Sequence, residues 1–119
     1  YLLMKEMGHT VETIDKLVIA GAIGSYIDPM SARTMGMFPE FPLEKIEIIG
    51  NAAGTGVRKA LVSREERRKA KKYSEWVKFI EAAIHPDYMK IYPDAMYLPN
   101  KNLDLFPETA EMLKKLGRI

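Results

Sequence analysis

The stretch LVIAGAIGSYIDP, residues Leu17–Pro29, constrains the fold more than any other part of this chain. Its four leading apolar residues are typical of a strand in a parallel sheet, because helices cover both faces of such a sheet. Gly21 and Gly24 then mark a sharp turn. Asp28 before Pro29 predicts a helix start, since a carboxylate accepts from the free amides of a first turn and proline loses no hydrogen bond there. The stretch therefore predicts a strand, a glycine turn and a helix.

The chain repeats this pattern once. A second predicted strand, Glu44–Ile49, is followed by the glycine-rich turn Gly50–Gly56, which opens a predicted helix over Ala52–Val62. Because a crossover helix returns the chain to the same edge of a sheet, the two strands should pair in parallel. The expected fold class is α/β, with βα units and a small, mainly parallel sheet covered by helices.

The rest of the chain carries local signals. Ser63 and Glu66 form a capping box that starts a charged helix over Arg64–Ser74. The apolar run Val77–Ala82 suits either a helix or a strand, and we expect a third strand there. Two further helices are predicted, Pro86–Met96 and Pro107–Leu116. We expect residues 1–119 to form a single domain.

Composition narrows the classes of partner. Eighteen Lys and Arg against sixteen Asp and Glu leave a net charge of +2, which gives no reason to expect a nucleic-acid partner. Without cysteine the chain has no thiolate metal site and no cysteine nucleophile. No apolar run approaches the roughly 18 residues of a membrane helix and no signal peptide is evident, so we expect a cytoplasmic protein with no membrane partner. Because the chain begins at Tyr1, we expect a fragment of a longer protein.

Two features leave alternatives open. The turn Gly50–Gly56 suits a phosphate or ribose cradle at a helix start, or a helix whose small residues allow close approach to a strand. No lysine follows it at the Walker spacing. The cations along Arg64–Lys72 suggest nucleic acid, but Glu65 and Glu66 interrupt them and no aromatic residues are interleaved, so a solvated face is the simpler interpretation. The two histidines lie far apart, so no metal ligand is predicted.

Three segments together carry a family resemblance, and they are IDKLVIAGAIGSYIDPMSARTMGMFP, KIEIIGNAAGTGVRKALVS and VKFIEAAIHPDYMKIYPDAMYLP. In this order they resemble the C-terminal lobe of the ATP-dependent reductive activators of corrinoid proteins. In methanogenic archaea these include the activase of methylamine methyltransferase corrinoid proteins. The resemblance implies a fold like part of the second lobe of an actin-like (ribonuclease H-like) ATPase, in the actin, sugar kinase and heat-shock chaperone superfamily.

The same resemblance implies a nucleotide site. The first glycine turn occupies the position of the adenosine motif of the superfamily. The expected nucleotide-binding residues are Gly21, Ala22, Ile23, Gly24, Ser25 and Asn51. Gly21 and Gly24 would be glycines because a side chain at either would fill the space of the adenosine or distort the turn. The superfamily often has two consecutive glycines where this chain has Gly21 and Ala22.

The resemblance also implies a function for the parent protein. It would use ATP or ADP with magnesium to help reduce a corrinoid from cob(II)amide to cob(I)amide, with an iron–sulfur cluster outside this segment. Its partners would be the corrinoid protein of a methyltransferase system and the other lobe of the same chain. The segment alone should be inactive, with no catalytic residue and no metal ligand. The alternatives are a lobe of another ATPase or kinase of the superfamily, or a protein-interaction module without nucleotide.

Overall fold

The computed structural model describes residues 1–119, apart from the side chain of Ile23. In this description two β-strands and six α-helices are joined by turns and short 3₁₀ segments. The strands are β1 (Leu17–Ala20) and β2 (Ile46–Gly50). The helices are α1 (Leu2–Glu6), α2 (Pro29–Thr34), α3 (Ala52–Val62), α4 (Arg64–Trp76), α5 (Tyr88–Ala95) and α6 (Pro107–Lys115).

The two strands form a parallel sheet, which confirms the predicted α/β class. Where the strands begin, Lys16 Nζ lies 2.7 Å from Glu47 Oε2. Where they end, the Gly21 N–H donates to the Gly50 carbonyl at 2.7 Å. The N-terminal ends of the two strands therefore lie side by side, and so do their C-terminal ends, as parallel pairing requires.

Side-chain caps fix two helix starts where the sequence predicts them. Asp28 Oδ2 accepts from the Ser31 hydroxyl at 2.6 Å and from the Ser31 N–H at 2.8 Å. These two hydrogen bonds, the hydroxyl first, hold the pKa of Asp28 below its ordinary value. Ser63 Oγ accepts from the Glu66 N–H at 3.2 Å at the start of α4. Both N-caps are confirmed. The reciprocal bond of the capping box expected at Ser63 is not formed, because the Ser63 N–H donates to the Lys59 carbonyl at 3.0 Å and the Glu66 side chain pairs with Lys69.

The third strand predicted at Val77–Ala82 is wrong. Helix α4 continues through Trp76, the backbone then runs irregularly, and residues 82–84 form a 3₁₀ turn. A strand needs a neighbouring edge for its amides and carbonyls, and the sheet of the described chain consists of β1 and β2 alone. The side chain of Phe79 is 87% exposed, so this apolar run is not a buried strand.

The chain divides into two compact units, which we describe separately. Unit 1 consists of Tyr1–Leu17, Ile27–Glu47 and Glu81–Ile119, and unit 2 consists of Val18–Tyr26 and Ile48–Ile80. No helix in the described part of the chain has the length and apolar content needed to cross a membrane.

Unit 1 contains the buried core, formed by Ala32, Phe41 and Phe106. The buried guanidinium of Arg33 donates to the Phe41 carbonyl at 3.1 Å and to Glu108 Oε2 at 2.8 Å. These bonds tie α2 to the following loop and to α6, and they offset the desolvation of the charge.

The start of α6 is capped by a distant carboxylate in unit 1. Glu40 accepts from the N–H groups of Glu108 and Thr109, both at 2.9 Å, and from the Thr109 hydroxyl at 2.7 Å. Three donors converge on one carboxylate at a helix N-terminus, where negative charge is favoured. The loop that carries Glu40 is thereby held against α6.

The histidine at the start of the α5 region has a structural role. His85 Nε2 lies 2.9 Å from Glu6 Oε2, and the Asp87 N–H donates to His85 Nδ1 at 3.1 Å. Lys5 Nζ donates to Asp87 Oδ2 at 2.6 Å, and this bond holds the pKa of Asp87 below its ordinary value. These contacts tie α1 to this turn, and no group of three or more potential metal ligands occurs among the described residues.

Unit 2 is built from the first glycine turn and the helices α3 and α4. Arg67 at the second turn of α4 donates to the Ala60 carbonyl at 3.0 Å, near the C-terminal end of α3. A cation is favourable there because the last carbonyls of a helix carry partial negative charge. The helices leave large apolar side chains exposed, among them Leu61 at 70% and Trp76 at 77%. Unit 2 therefore has little core of its own.

Candidate functional site

The candidate site lies at the C-terminal ends of β1 and β2, within unit 2. Gly21 follows β1 with φ +98°, and Gly50 ends β2 with φ +61°. Both values lie in the left-handed region that glycine tolerates and other residues avoid. The Gly21 N–H donates to the Gly50 carbonyl, so the two glycines close this end of the sheet together.

Gly21 faces open space on the side where a side chain would project. A Cβ added there would meet no atom within 4 Å in the described chain. Its backbone angle requires glycine, but packing within this chain does not fill the space beside it. Ala22 is exposed next to it. A ligand can therefore approach the backbone closely at these two residues.

The turn after Gly21 is closed by Ser25. The Ser25 N–H donates to the Ala22 carbonyl at 3.2 Å, and the Ser25 hydroxyl donates to the Gly21 carbonyl at 3.3 Å. Gly24 is buried, and a Cβ added there would lie 2.7 Å from Ile19 Cγ2. Gly24 is thus glycine because the turn lies against its own strand, a reason that needs no ligand. The side chain of Ile23, also a predicted site residue, lies outside the described residues.

Asn51 directly follows Gly50 and caps α3. Its Oδ1 accepts from the Gly54 N–H at 2.9 Å. A Cβ added to Gly54 would lie 2.7 Å from Asn51 Nδ2, so Gly54 leaves room for the cap. Ala53 is exposed. Gly54 therefore serves the helix cap, and the alternative that small residues here allow close approach to a strand finds no support at Ala53, Gly54 or Gly56.

The predicted site residues are thus brought together at one end of the sheet. Gly21 to Ser25 form one continuous turn, and Asn51 is joined to it through the Gly50–Gly21 hydrogen bond. Gly50 was predicted to begin the second glycine turn but was not among the expected nucleotide-binding residues, although a glycine directly after an apolar strand is a signal that could have added it. A Cβ on Gly50 would lie 3.6 Å from Ser25 Oγ, so this glycine also borders the turn.

The residues of this turn favour contact with an uncharged part of a ligand. No Lys or Arg occurs in residues 17–29, and the one carboxylate there, Asp28, is engaged in its helix cap. Phosphates require charged partners or several free amides. A turn of small residues with open backbone is better suited to an uncharged group such as the flat base of a nucleoside.

Comparison with known proteins places the chain in a family. Residues 1–110 match the family described as the C-terminal domain of RACo, the ASKHA domain. The chain is 34% identical over 91 residues to the corrinoid activation enzyme RamQ of Eubacterium limosum, a match covering 76% of this chain and 15% of RamQ.

A solved structure titled reductive activator for corrinoid, iron-sulfur protein superimposes with a TM-score of 0.81 at 29% identity. That match covers 89% of this chain and 17% of the solved one. The chain therefore spans less than a fifth of the length of either relative. The family match over nearly the whole chain decides the assignment: the chain belongs to the family of RACo C-terminal ASKHA domains of corrinoid reductive activators.

Proposed function

We propose that this chain forms the adenosine side of the nucleotide cleft in an ATPase that drives reductive activation of a corrinoid protein. The observation that carries the proposal is the open turn at Gly21 and Ala22, in a chain that belongs to an activator family. In the proposed reaction an iron–sulfur cluster outside this segment gives up one electron and is oxidised, and that electron reduces cob(II)amide to cob(I)amide in the corrinoid protein of a methyltransferase system, such as those of methanogens. We place the protein in the cytoplasm.

The residues of the turn fit a nucleoside. Space beside Gly21 is free, Ala22 presents only a methyl group, and the Ser25 hydroxyl is exposed at the same end of the sheet. In this proposal the backbone of Gly21–Ser25 lies against the base, while Asn51 and Ser25 offer polar groups toward the sugar. ATP with magnesium, when bound, would supply the free energy for the reduction.

In this proposal the phosphate chemistry lies outside these 119 residues. Phosphoryl transfer requires metal and charge contacts. We propose that these contacts, and an iron–sulfur cluster, belong to other parts of a longer protein that includes this domain as one lobe. The 119 residues alone would then hold the nucleoside in position without hydrolysing ATP.

Family membership favours this proposal over another ATPase or kinase of the superfamily. The second alternative, a module that binds only protein, predicts that nothing occupies the space beside Gly21. The exposed Ala22 provides the test, because its enlargement should leave the fold intact and fill that space. The complete protein with Ala22→Leu should bind ATP and ADP at least tenfold more weakly in calorimetric titration, about 1.4 kcal/mol.

The matched control is Ala83→Leu, a change of the same size at an exposed position of unit 1. It should leave nucleotide affinity unchanged. Wild-type affinity in Ala22→Leu, with normal binding in the control, would refute the adenosine assignment. Gly24→Ala is a poorer test, since a methyl group at Gly24 collides with Ile19 and changes stability as well.

A further inference from the structure

One face of α4 carries an unusual concentration of positive charge. Arg64, Arg67, Arg68 and Lys71 lie three, four and seven residues apart, so they share one side of the helix. Together they line an open hollow of about 360 Å³. All four side chains are exposed. We call these four residues the basic face.

The acidic residues in the first turn of α4 neutralise a cation on another side of the helix. Glu65 and Glu66 both contact Lys69, at 3.0 and 2.9 Å. None of the four residues of the basic face forms an ion pair with a carboxylate in the described part of the chain. Glu75 lies one turn beyond Lys71 on the same side, and it too is unpaired there. In its first two turns, α4 therefore keeps its carboxylates away from the four cations of the basic face.

This arrangement is unfavourable for the isolated helix. Cations three and four residues apart repel one another, and Arg64 and Arg67 lie near the helix N-terminus, where the dipole disfavours positive charge. For Arg67, the hydrogen bond to the Ala60 carbonyl offsets part of this electrostatic cost. The side chains of Arg64, Arg68 and Lys71 make no hydrogen bond within the described chain that would offset this repulsion. A local rule broken without internal compensation points to a function outside the fold.

We infer that the basic face is a docking surface for an acidic patch on a partner protein. Complementary charge across such a contact accelerates association and fixes orientation. A protein fits better than a nucleic acid, because a nucleic-acid contact spans many phosphates, whereas the net charge of this chain is only +2. The inference rests on the proposed function in one respect: the partner to be tested is the corrinoid protein.

The test variant is Arg64→Gln/Arg68→Gln/Lys71→Gln in the complete protein, which spares Arg67 because it contacts α3. We expect at least a tenfold loss of affinity for the corrinoid protein, mainly in the association rate, with a weaker salt dependence than wild type. The melting temperature should stay the same or rise, since repulsion is relieved. The matched control, Lys90→Gln/Lys101→Gln/Lys115→Gln, removes the same charge from unit 1 and should bind like wild type.

Equal loss in test and control variants would overturn the docking surface in favour of a general charge effect. Unchanged binding in the test variant, with wild type binding normally, would also overturn it. Failure of wild type itself to bind the corrinoid protein would refute the proposed function, and this result is distinguishable from the others. If wild type binds a labelled DNA duplex at 150 mM salt and the test variant does not, the face serves nucleic acid and the protein partner is refuted.

Discussion

The two units of this chain both contain helices and apolar side chains, but they bury those side chains to very different extents. Phe41 of unit 1 is 1% exposed, whereas Phe79 of unit 2 is 87% exposed. Both units have capped helices with apolar residues. Helix formation here therefore depends on local signals, while core formation depends on which segments of the chain return to cover an apolar face.

The largest expected effect tests that contrast directly. In the 119-residue chain, Phe41→Ala should lower the free energy of unfolding by about 3–5 kcal/mol, because it leaves a cavity in the core of unit 1. Phe79→Ala removes the same atoms from an exposed position and should change it by less than about 0.5 kcal/mol. Urea denaturation measures both. Similar losses for the two variants would mean that unit 2 has a core that the structure does not show.

A second pair of variants should shift stability in opposite directions. Gly36 has φ +77°, and a Cβ there would collide with the Pro99 carbonyl, so Gly36→Ala should destabilise by about 1–3 kcal/mol. Gly56 lies within α3 in open space, so Gly56→Ala should stabilise by about 0.5–1 kcal/mol. Thermal melts of both variants check the signs. Destabilisation by Gly56→Ala would show that α3 is covered on that side.

The smallest expected effect concerns the charge of a helix cap. The folded-state pKa of Asp28 is lowered, so its contribution to stability is present above the unfolded pKa and is lost as the pH falls through the folded pKa. Asp28→Asn keeps a capping side chain without the charge. It should melt below wild type at pH 7, and the difference should vanish in acid.

Unit 2 provides the control for this pH effect. Its cap Asn51 is neutral, so Asn51→Ala should lower the melting temperature by a similar amount at both pH values. A pH-dependent difference for Asn51→Ala, or a pH-independent one for Asp28→Asn, would contradict the assignment of the effect to the Asp28 carboxylate.

Local features of the fold were predictable from the sequence. The β1 strand, the left-handed turn at Gly21 and the caps at Asp28 and Ser63 each depend on a few consecutive residues. The irregular backbone at residues 77–81 was not predictable, and we expected a strand there. A short apolar run does not reveal whether a partner strand edge is available. The contacts of Arg33 with Glu108 and of Glu40 with Thr109 join residues 69 to 75 positions apart, and local patterns carry no information about such pairings.

The candidate site shows the same limit. The turn Gly21–Ser25 could be located from its spacing and its family resemblance, but its two glycines differ in a way that only the packing reveals. Gly24 lies against Ile19, whereas Gly21 borders open space. The sequence therefore identified the turn, and the structure indicates which of its residues can meet a ligand.

Photo-crosslinking with an azido-adenine analogue of ATP tests the central claim most directly. The complete protein would be irradiated with the analogue, digested and examined by mass spectrometry, with excess ATP as competitor. We expect the crosslinks that excess ATP suppresses to lie in the peptide containing Gly21 to Ser25 or in the one containing Asn51. If the crosslinks that excess ATP suppresses were found only outside residues 1–119, this chain would not form the adenosine side of the cleft.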